Sequence, residues 1–341
     1  FFIIRLLVAV WKIVHYFNLM KSPNLICVGN AIVDILVKVE NSFLKLYNLN
    51  KGSMSLVNNE EFDKIFSQLG EYKIKSGGSA ANTAVGYSSF GGNSLFLGSI
   101  GQDNFGSSFK KDLSDLGIHF LSCEDNFLNT KTSRSLILIS PDGERTMCTL
   151  LDASVSLSLK NFDQSVFKNN NILYLEGYLF DKNETKQAMI DLCKIAINKK
   201  SLICLSLSDS FCVERHKKDF YSLTKNYVDI LFGNDQEINA LLNGQEKENL
   251  NSIVDIAVVT SGSKGANIFK DNYKEFIPPI NGLNVVDTTG AGDLFASGFL
   301  FGFSKNLTLY ECGKLATRAA SHIIQQYGAR PANDLSKLVI I

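Results

Sequence analysis

Short apolar runs recur along this chain, each closed by glycine or by a cluster of polar turn residues. Asn24 to Val28 ends in Gly29, the pattern of a strand buried on both faces in a parallel sheet. Asn171–Glu176, Leu202–Ser206, Val228–Phe232 and Ile256–Val259 repeat it, and helical periodicity fills residues 182–198 and 235–242. Strand and helix in alternation predict a parallel sheet with helices on both faces. A helix from Phe105 to Leu116 is closed by Gly117 as C-cap. From 132 to 150 the pattern changes. Ser133–Ile139 and Arg145–Leu150 read as strands around the turn Ser140-Pro141-Asp142-Gly143-Glu144, a β-hairpin. With short strands expected near 35–39 and 51–57, this hairpin predicts a small sheet separate from the large one.

Length and composition narrow the class without giving the function. The 341 residues suffice for one large α/β domain with an appendage, or for two domains. At 45% hydrophobic and 20% charged the chain is ordinary globular protein. Lysine plus arginine equals aspartate plus glutamate, 34 each, so charge gives no basis for a nucleic-acid or anionic-membrane partner. Seven scattered cysteines without a C-x-x-C pair suit a reducing cytoplasm, and neither a disulfide framework nor a zinc site. None of the histidines, 15, 119, 216 and 322, has metal-ligand or triad spacing. Residues 1–19 are apolar but interrupted by Arg5, Lys12 and His15, and Met20 reads as the natural start. They are expected to be an extension outside the fold. A membrane-associated helix is the second reading, because internal cations make a poor span.

The chemistry concentrates in glycine-bearing turns. Asp287-Thr288-Thr289-Gly290-Ala291-Gly292-Asp293 follows the apolar Leu283, Val285 and Val286 and precedes an apolar helical stretch, so a strand is expected to turn into a helix there. Glycine lets backbone N–H groups approach a ligand, and a helix N-terminus favours an anion. Asp293 would repel a phosphate at that mouth unless it takes a proton from the group attacking it. The pattern therefore suggests phosphoryl transfer to a hydroxyl, against the plainer reading of an N-cap aspartate. Asn30 and Asp34 follow the first strand at its carboxyl end, where open α/β sheets bind ligands. They could hold a vicinal diol, or be a turn asparagine and a surface aspartate. Gly77-Gly78-Ser79-Ala80-Ala81-Asn82 again runs glycines into a helix of small residues. Asn234-Asp235-Gln236-Glu237 is a candidate nucleotide contact and equally an ordinary helix start with a glutamate at the third position. Thr260-Ser261-Gly262-Ser263-Lys264-Gly265 offers hydroxyls and glycine amides to a triphosphate. Neither a Walker A loop nor a dinucleotide fingerprint is present.

The D-T-T-G-A-G-D stretch resembles the C-terminal signature of the ribokinase (PfkB-type) kinase family, and G-G-S-A-A-N resembles its N-terminal one. Gly101 to Gly106 matches its G-x-D-x-x-G, Asn234 to Glu237 its N-x-x-E, and Gly328-Ala329 its closing element, all in the expected order. The resemblance implies a ribokinase-like three-layer αβα fold over residues 20–341, with a mainly parallel sheet and a small β-sheet lid from about 35–57 and 132–152. It implies an ATP-dependent kinase with Asp293 as general base and the amides of Gly290, Ala291 and Gly292 on the transferring phosphate. Asn30, Asp34, Gly77, Gly78 and Asn82 would hold the acceptor. Asn234, Glu237, Thr260, Gly262, Gly265, Thr288 and Gly328 would hold ATP. Glu237 would reach Mg²⁺ through water, and K⁺ can sit beside Asp287 in some relatives. Where many relatives carry Leu-Gly-Ala-Ser, this chain has Leu151-Asp152-Ala153-Ser154, an added carboxylate near the lid hinge. Tyr227–Asn234 and Leu205–Phe211 are similar to the adenosine kinase branch. The expected acceptor is thus the 5′-hydroxyl of adenosine or a related nucleoside. The alternatives are a ribokinase- or fructokinase-like sugar kinase and a non-catalytic nucleotide or sugar sensor. Small molecules are the expected partners, without nucleic acid or membrane, for a cytoplasmic monomer or homodimer.

Overall fold

The computed structural model describes residues 24–122, 130–159, 162–271 and 273–339. The expectations for residues 1–19 and Met20, and Cys123, lie outside the described residues. In chain order the strands and helices begin with β1 (Leu25–Val28), β2 (Ile32–Lys38), α1 (Asn41–Leu46), β3 (Met54–Leu56), α2 (Asn59–Phe66) and β4 (Lys73–Ser76). There follow α3 (Ser79–Ser89), β5 (Ser94–Gly98), α4 (Asn104–Asp115), β6 (His119–Ser122), β7 (Ser133–Ile139), β8 (Arg145–Leu150) and β9 (Ile172–Glu176). Next are α5 (Asn183–Asn198), β10 (Leu202–Ser206), α6 (Ser210–Arg215), α7 (Lys217–Tyr227), β11 (Ile230–Asn234) and α8 (Asp235–Leu242). The chain closes with β12 (Ile256–Thr260), β13 (Ala266–Lys270), β14 (Tyr273–Ile277), α9 (Ala291–Ser304) and α10 (Leu309–Ile323).

The large sheet has the order β14-β13-β12-β11-β10-β9-β1-β5-β6, parallel from β12 to β6 and antiparallel at the β13–β14 edge. Its central strands are continuous apolar runs because both faces are covered. Pleating sends alternate residues to opposite cores: Leu25, Cys27 and Phe96 to one, Ile26, Val28 and Leu95 to the other. Helices cover both sides, which gives the three-layer αβα arrangement. The second sheet, β3-β8-β7-β2-β4, has its own core of Ile35, Val37, Leu44, Phe62, Ile65, Leu136 and Leu138. Among the described residues no helix is long and apolar enough to cross a membrane.

Two features place the site. Only Gly29 to Ala31 separate β1 in the large sheet from β2 in the small one, so Asn30 sits at the junction. Helices α3 and α9, far apart in sequence, pack closely because Gly86 has no side chain: a Cβ there would lie 2.4 Å from the Ser297 hydroxyl. This contact brings the two glycine turns together.

The structure corrects one expectation and adds elements. No strand precedes Asp287: Val285 and Val286 are exposed, and the Val286 and Asp287 amides donate instead to the Ile324 carbonyl. Pro278-Pro279 follows β14 and ends the sheet at its antiparallel edge, so the chain reaches the Asp287–Asp293 turn across the end of α10. β4 escaped prediction because Lys-Ile-Lys-Ser shows no alternation; it is mostly exposed and is held by antiparallel pairing with β2.

Candidate active site

Helix α9 starts at Gly290, which adopts a left-handed conformation (φ 79°) and gives no side-chain cap. A Cβ at Gly290 would lie 2.7 Å from both Cα and Cβ of Ala329, so sterics and backbone each require glycine. The first turn therefore offers unpaired N–H groups and the positive end of a helix dipole. Asp293 stands in that turn. The Ser79 hydroxyl donates to its Oδ1 at 2.6 Å, and Asn82 Nδ2 donates to its Oδ2 at 3.0 Å. Both donors lie on α3, one turn apart. Burial pushes Asp293 up to about 6, while Ser79, Asn82 and Arg330 draw it back toward the ionised form.

On the acceptor side, Gly77 and Gly78 link β4 to α3 against the Asn30–Asp34 segment. A Cβ at Gly77 would meet Asp34 Oδ2 at 2.5 Å, and one at Gly78 (φ 88°) would meet the Asn30 carbonyl at 2.4 Å. Asp34 is pushed up to about 7 by burial, against the pull of Arg330, Arg145 and Lys75. Asn30 is buried, and its Oδ1 has no hydrogen-bond partner. Gly78→Ala should therefore destabilise the protein by about 1–3 kcal/mol and raise KM for the acceptor more than KM for ATP. A thermal shift assay and separate titration of the two substrates check this.

At the turn's other end Asp287 is buried and accepts from the Thr289 amide (3.0 Å), the Thr289 hydroxyl (2.6 Å), the Gly328 amide (2.7 Å) and Arg145 Nη2 (2.5 Å). Burial would raise its carboxyl, but these donors outweigh it and hold it below the usual range. A K⁺ at this carboxylate would have to displace a guanidinium. Thr288 is exposed, and its carbonyl accepts from the Ala291 amide.

The nucleotide candidates lie at the carboxyl ends of neighbouring strands, where Asn234 of β11 is the register partner of Thr260 of β12. Asn234 and Glu237 form a capping box: the Asn234 amide donates to Glu237 Oε2 at 2.9 Å, and Asn234 Oδ1 accepts from the Glu237 amide at 2.9 Å. Burial pushes Glu237 up to about 7, against the Asn234 amide. Gly262 and Gly265 both have positive φ; the exposed Gly262 opens a short 3₁₀ turn and Gly265 closes it. Among the described residues no cluster of three or more His, Cys, Asp or Glu could hold a metal. No hydrogen bond among the described residues links Asn234, Glu237, Thr260, Gly262 or Gly265 to Asp293.

Four contributors were not singled out from sequence. Ser79 lay inside a recognised motif, and its role needed the α3–α9 packing. Glu176 ends β9, is fully buried, and accepts from the Ala80 amide at 2.8 Å and the Asn30 amide at 3.3 Å. A carboxylate closing a buried strand was the available signal. Arg330 stood in the recognised Gly328-Ala329-Arg330 element without a role assigned to it, and Arg145 gave no signal, since it arrives from a separate part of the chain.

A carboxylate held at an uncapped helix N-terminus, beside a polar pocket under a small sheet, defines a phosphotransferase with an alcohol acceptor. The pattern of the pfkB family of carbohydrate kinases matches residues 51–335. The chain belongs to that family, on its adenosine kinase-like branch. It is 37% identical to a probable sugar kinase from Rhizobium etli CFN 42, covering 93% of this chain and 98% of that one at TM-score 0.85. It is 36% identical to adenosine kinase from Sinorhizobium meliloti, with the same coverage and TM-score 0.84. Adenosine kinase 2 of Arabidopsis thaliana is 24% identical over 331 residues, 89% of this chain and 94% of that protein.

Proposed function

We propose that this protein is an ATP-dependent nucleoside kinase that phosphorylates the 5′-hydroxyl of adenosine or a close relative, with Asp293 as general base. The observation that carries this is the Asp293 carboxylate, fixed by Ser79 and Asn82 at the bare N-terminus of α9. Asn30, Asp34, Gly77, Gly78 and Asn82 surround the space where sugar hydroxyls would lie. An acceptor hydroxyl presented there meets a base that is mostly ionised at pH 7, since its carboxyl titrates near 6. As the oxygen attacks the γ-phosphorus, its proton passes to Asp293. The amides of Gly290 and Gly292, and that of Ala291 once it leaves the Thr288 carbonyl, would meet the charge that develops on the phosphoryl oxygens. Activity should rise with pH through about 6, because a base works only when ionised.

On the ATP side the reading assigns Asn234, Glu237, Thr260, Gly262, Gly265, Thr288 and Gly328. Mg²⁺ fits as an ion carried on the phosphates: both Glu237 oxygens are already engaged by Asn234, so that carboxylate suits hydrogen bonding to the ion's waters. When bound, the ion neutralises phosphate charge. The small sheet, with strands of 35–57 and 132–152, serves as a lid that excludes water from the cleft. The role fits nucleoside salvage in the cytoplasm.

The free Asn30 Oδ1 and the carboxyls of Asp34 and Glu176 also suit a free sugar, which offers more hydroxyls. This favours a sugar kinase as the second reading. ATP-dependent phosphorylation across adenosine, other nucleosides, ribose and fructose tests both. Product from adenosine is the expected result; product from free sugars alone would replace the acceptor.

A further inference from the structure

The C-terminal segment after α10 returns to the cleft and is pinned on both sides of Arg330. Before it, the Gly328 amide donates to Asp287 Oδ2 at 2.7 Å; after it, the Leu335 amide donates to the Ser89 carbonyl at 3.0 Å. Between these anchors Arg330 turns inward. Its Nε donates to Asn82 Oδ1 at 3.2 Å and its Nη2 to the Gly77 carbonyl at 3.2 Å, with the guanidinium 6.0 Å from the Phe109 ring centre.

We propose that Arg330 is a positioning residue for the phosphoryl transfer: by donating to Asn82 Oδ1 it turns the Asn82 amide so that Nδ2 must face Asp293. The inference rests on the reading of Asp293 as the base. An asparagine amide can present either end to a carboxylate, but Arg330 has only donors to offer. It accepts only one orientation of Asn82, and that orientation places a donor on Asp293 Oδ2. The same side chain ties the glycine turn at Gly77 to this pair, so acceptor pocket and base move as one unit.

The electrostatics follow the geometry. The ionisable groups that sense Asp293 from neighbouring elements are Cys27 on β1, Tyr174 and Glu176 on β9, Tyr178 just beyond it, and Arg330. Burial raises the thiol and both phenols and pushes Glu176 up to about 8, which keeps them largely neutral at pH 7. Arg330 is pushed down to about 10 by burial, against the pull of Asp112, Asp34 and Asp293, and stays charged. It is the cation that offsets the burial of the base. Removing it should move Asp293 to higher pKa.

The test is Arg330→Met, with Arg330→Lys as the conservative variant. Two readouts are taken: the pH profile of kcat, and the titration of Asp293 in protein labelled with ¹³C-aspartate, assigned through Asp293→Asn. In Arg330→Met the Asp293 titration and the acid limb of kcat should both rise by about one pH unit. Above pH 8 the rate should recover only in part, because the Asn82 amide is no longer held in one orientation. Arg330→Lys keeps the charge but only one of the two contacts, and should shift the titration by less than Arg330→Met. Should Arg330→Met fail to fold, Arg330→Gln keeps a donor but no charge and should shift the same way by less. An unmoved Asp293 titration, equal shifts in the Met and Lys variants, or a loss of rate by one factor at every pH would overturn the proposal. The labelled-aspartate titration needs no turnover. A wild-type protein without kinase activity would sink the functional reading while leaving this arrangement testable.

Discussion

Asp293→Asn should lower kcat at least about 1,000-fold while leaving ATP binding close to wild type. The substitution is nearly isosteric, and its surroundings can accept it. An asparagine at 293 can turn its carbonyl to Asn82 Nδ2 and its amide nitrogen to the Ser79 hydroxyl, which then accepts instead of donating. No buried group loses its partner, and a carboxylate in an unfavourable setting is removed, so Tm should not fall. The α9 N–H groups proposed to meet the phosphates belong to the backbone and remain. What disappears is the group proposed to take the acceptor's proton. Steady-state turnover beside calorimetric titration with ATP measures both halves. A variant retaining more than about a tenth of the rate would pass the base role to another group. Asp34 and Glu176 are the nearby carboxyls, and both are pushed upward by burial. The pH profile gives a second check: the acid limb near pH 6 in the wild type should vanish from whatever activity the variant retains.

The layered fold was legible because its central strands are buried on both faces, so β1, β9, β10 and β12 read as unbroken apolar runs. β4 and the β13–β14 hairpin were not, because edge strands are held by pairing and show a weak or mixed pattern. The expected strand before Asp287 failed for the converse reason. Leu283, Val285 and Val286 are apolar, yet they pair with no strand: the Val286 amide donates to the Ile324 carbonyl, and Val285 and Val286 lie exposed. The glycine turns were readable as local chemistry, since Gly78 and Gly290 need positive φ whatever surrounds them. The side chains that tune those turns were not. Glu176, Arg145 and Arg330 act through contacts that exist only after distant segments meet, and no spacing rule spans such separations. Asn234 and Glu237 show the reverse limit. Their capping box satisfies the plainer reading completely, and a nucleotide role would be additional to it.

Arg145→Ala should lower kcat about 100-fold and raise KM for ATP. Arg145 opens β8 in the small sheet, yet its guanidinium reaches across to the catalytic turn: Nη1 to Thr289 Oγ1 at 2.6 Å and Nη2 to Asp287 Oδ2 at 2.5 Å. Thr289 immediately precedes Gly290, so this cation stands one residue from the start of α9, where phosphate charge would collect. A triphosphate entering the turn would place its terminal oxygens within the span of that fork. The guanidinium could then hold phosphate while keeping one arm on the turn, which couples closure of the small sheet to the presence of nucleotide. Arg145→Lys should recover only part of the loss, because an ammonium cannot make both contacts in one plane. Asp287 would keep the Thr289 and Gly328 donors in the alanine variant, so the turn itself should stay folded. The competing account is a simple latch, in which Arg145 only shuts the sheet over the cleft. Counting ATP hydrolysed for each acceptor phosphorylated separates the two. If Arg145 is only a latch, the alanine variant keeps phosphoryl transfer near its normal rate but lets water in, raising ATP consumption without product. If Arg145 holds phosphate, the same variant slows transfer to the acceptor and to water together, and that ratio stays unchanged.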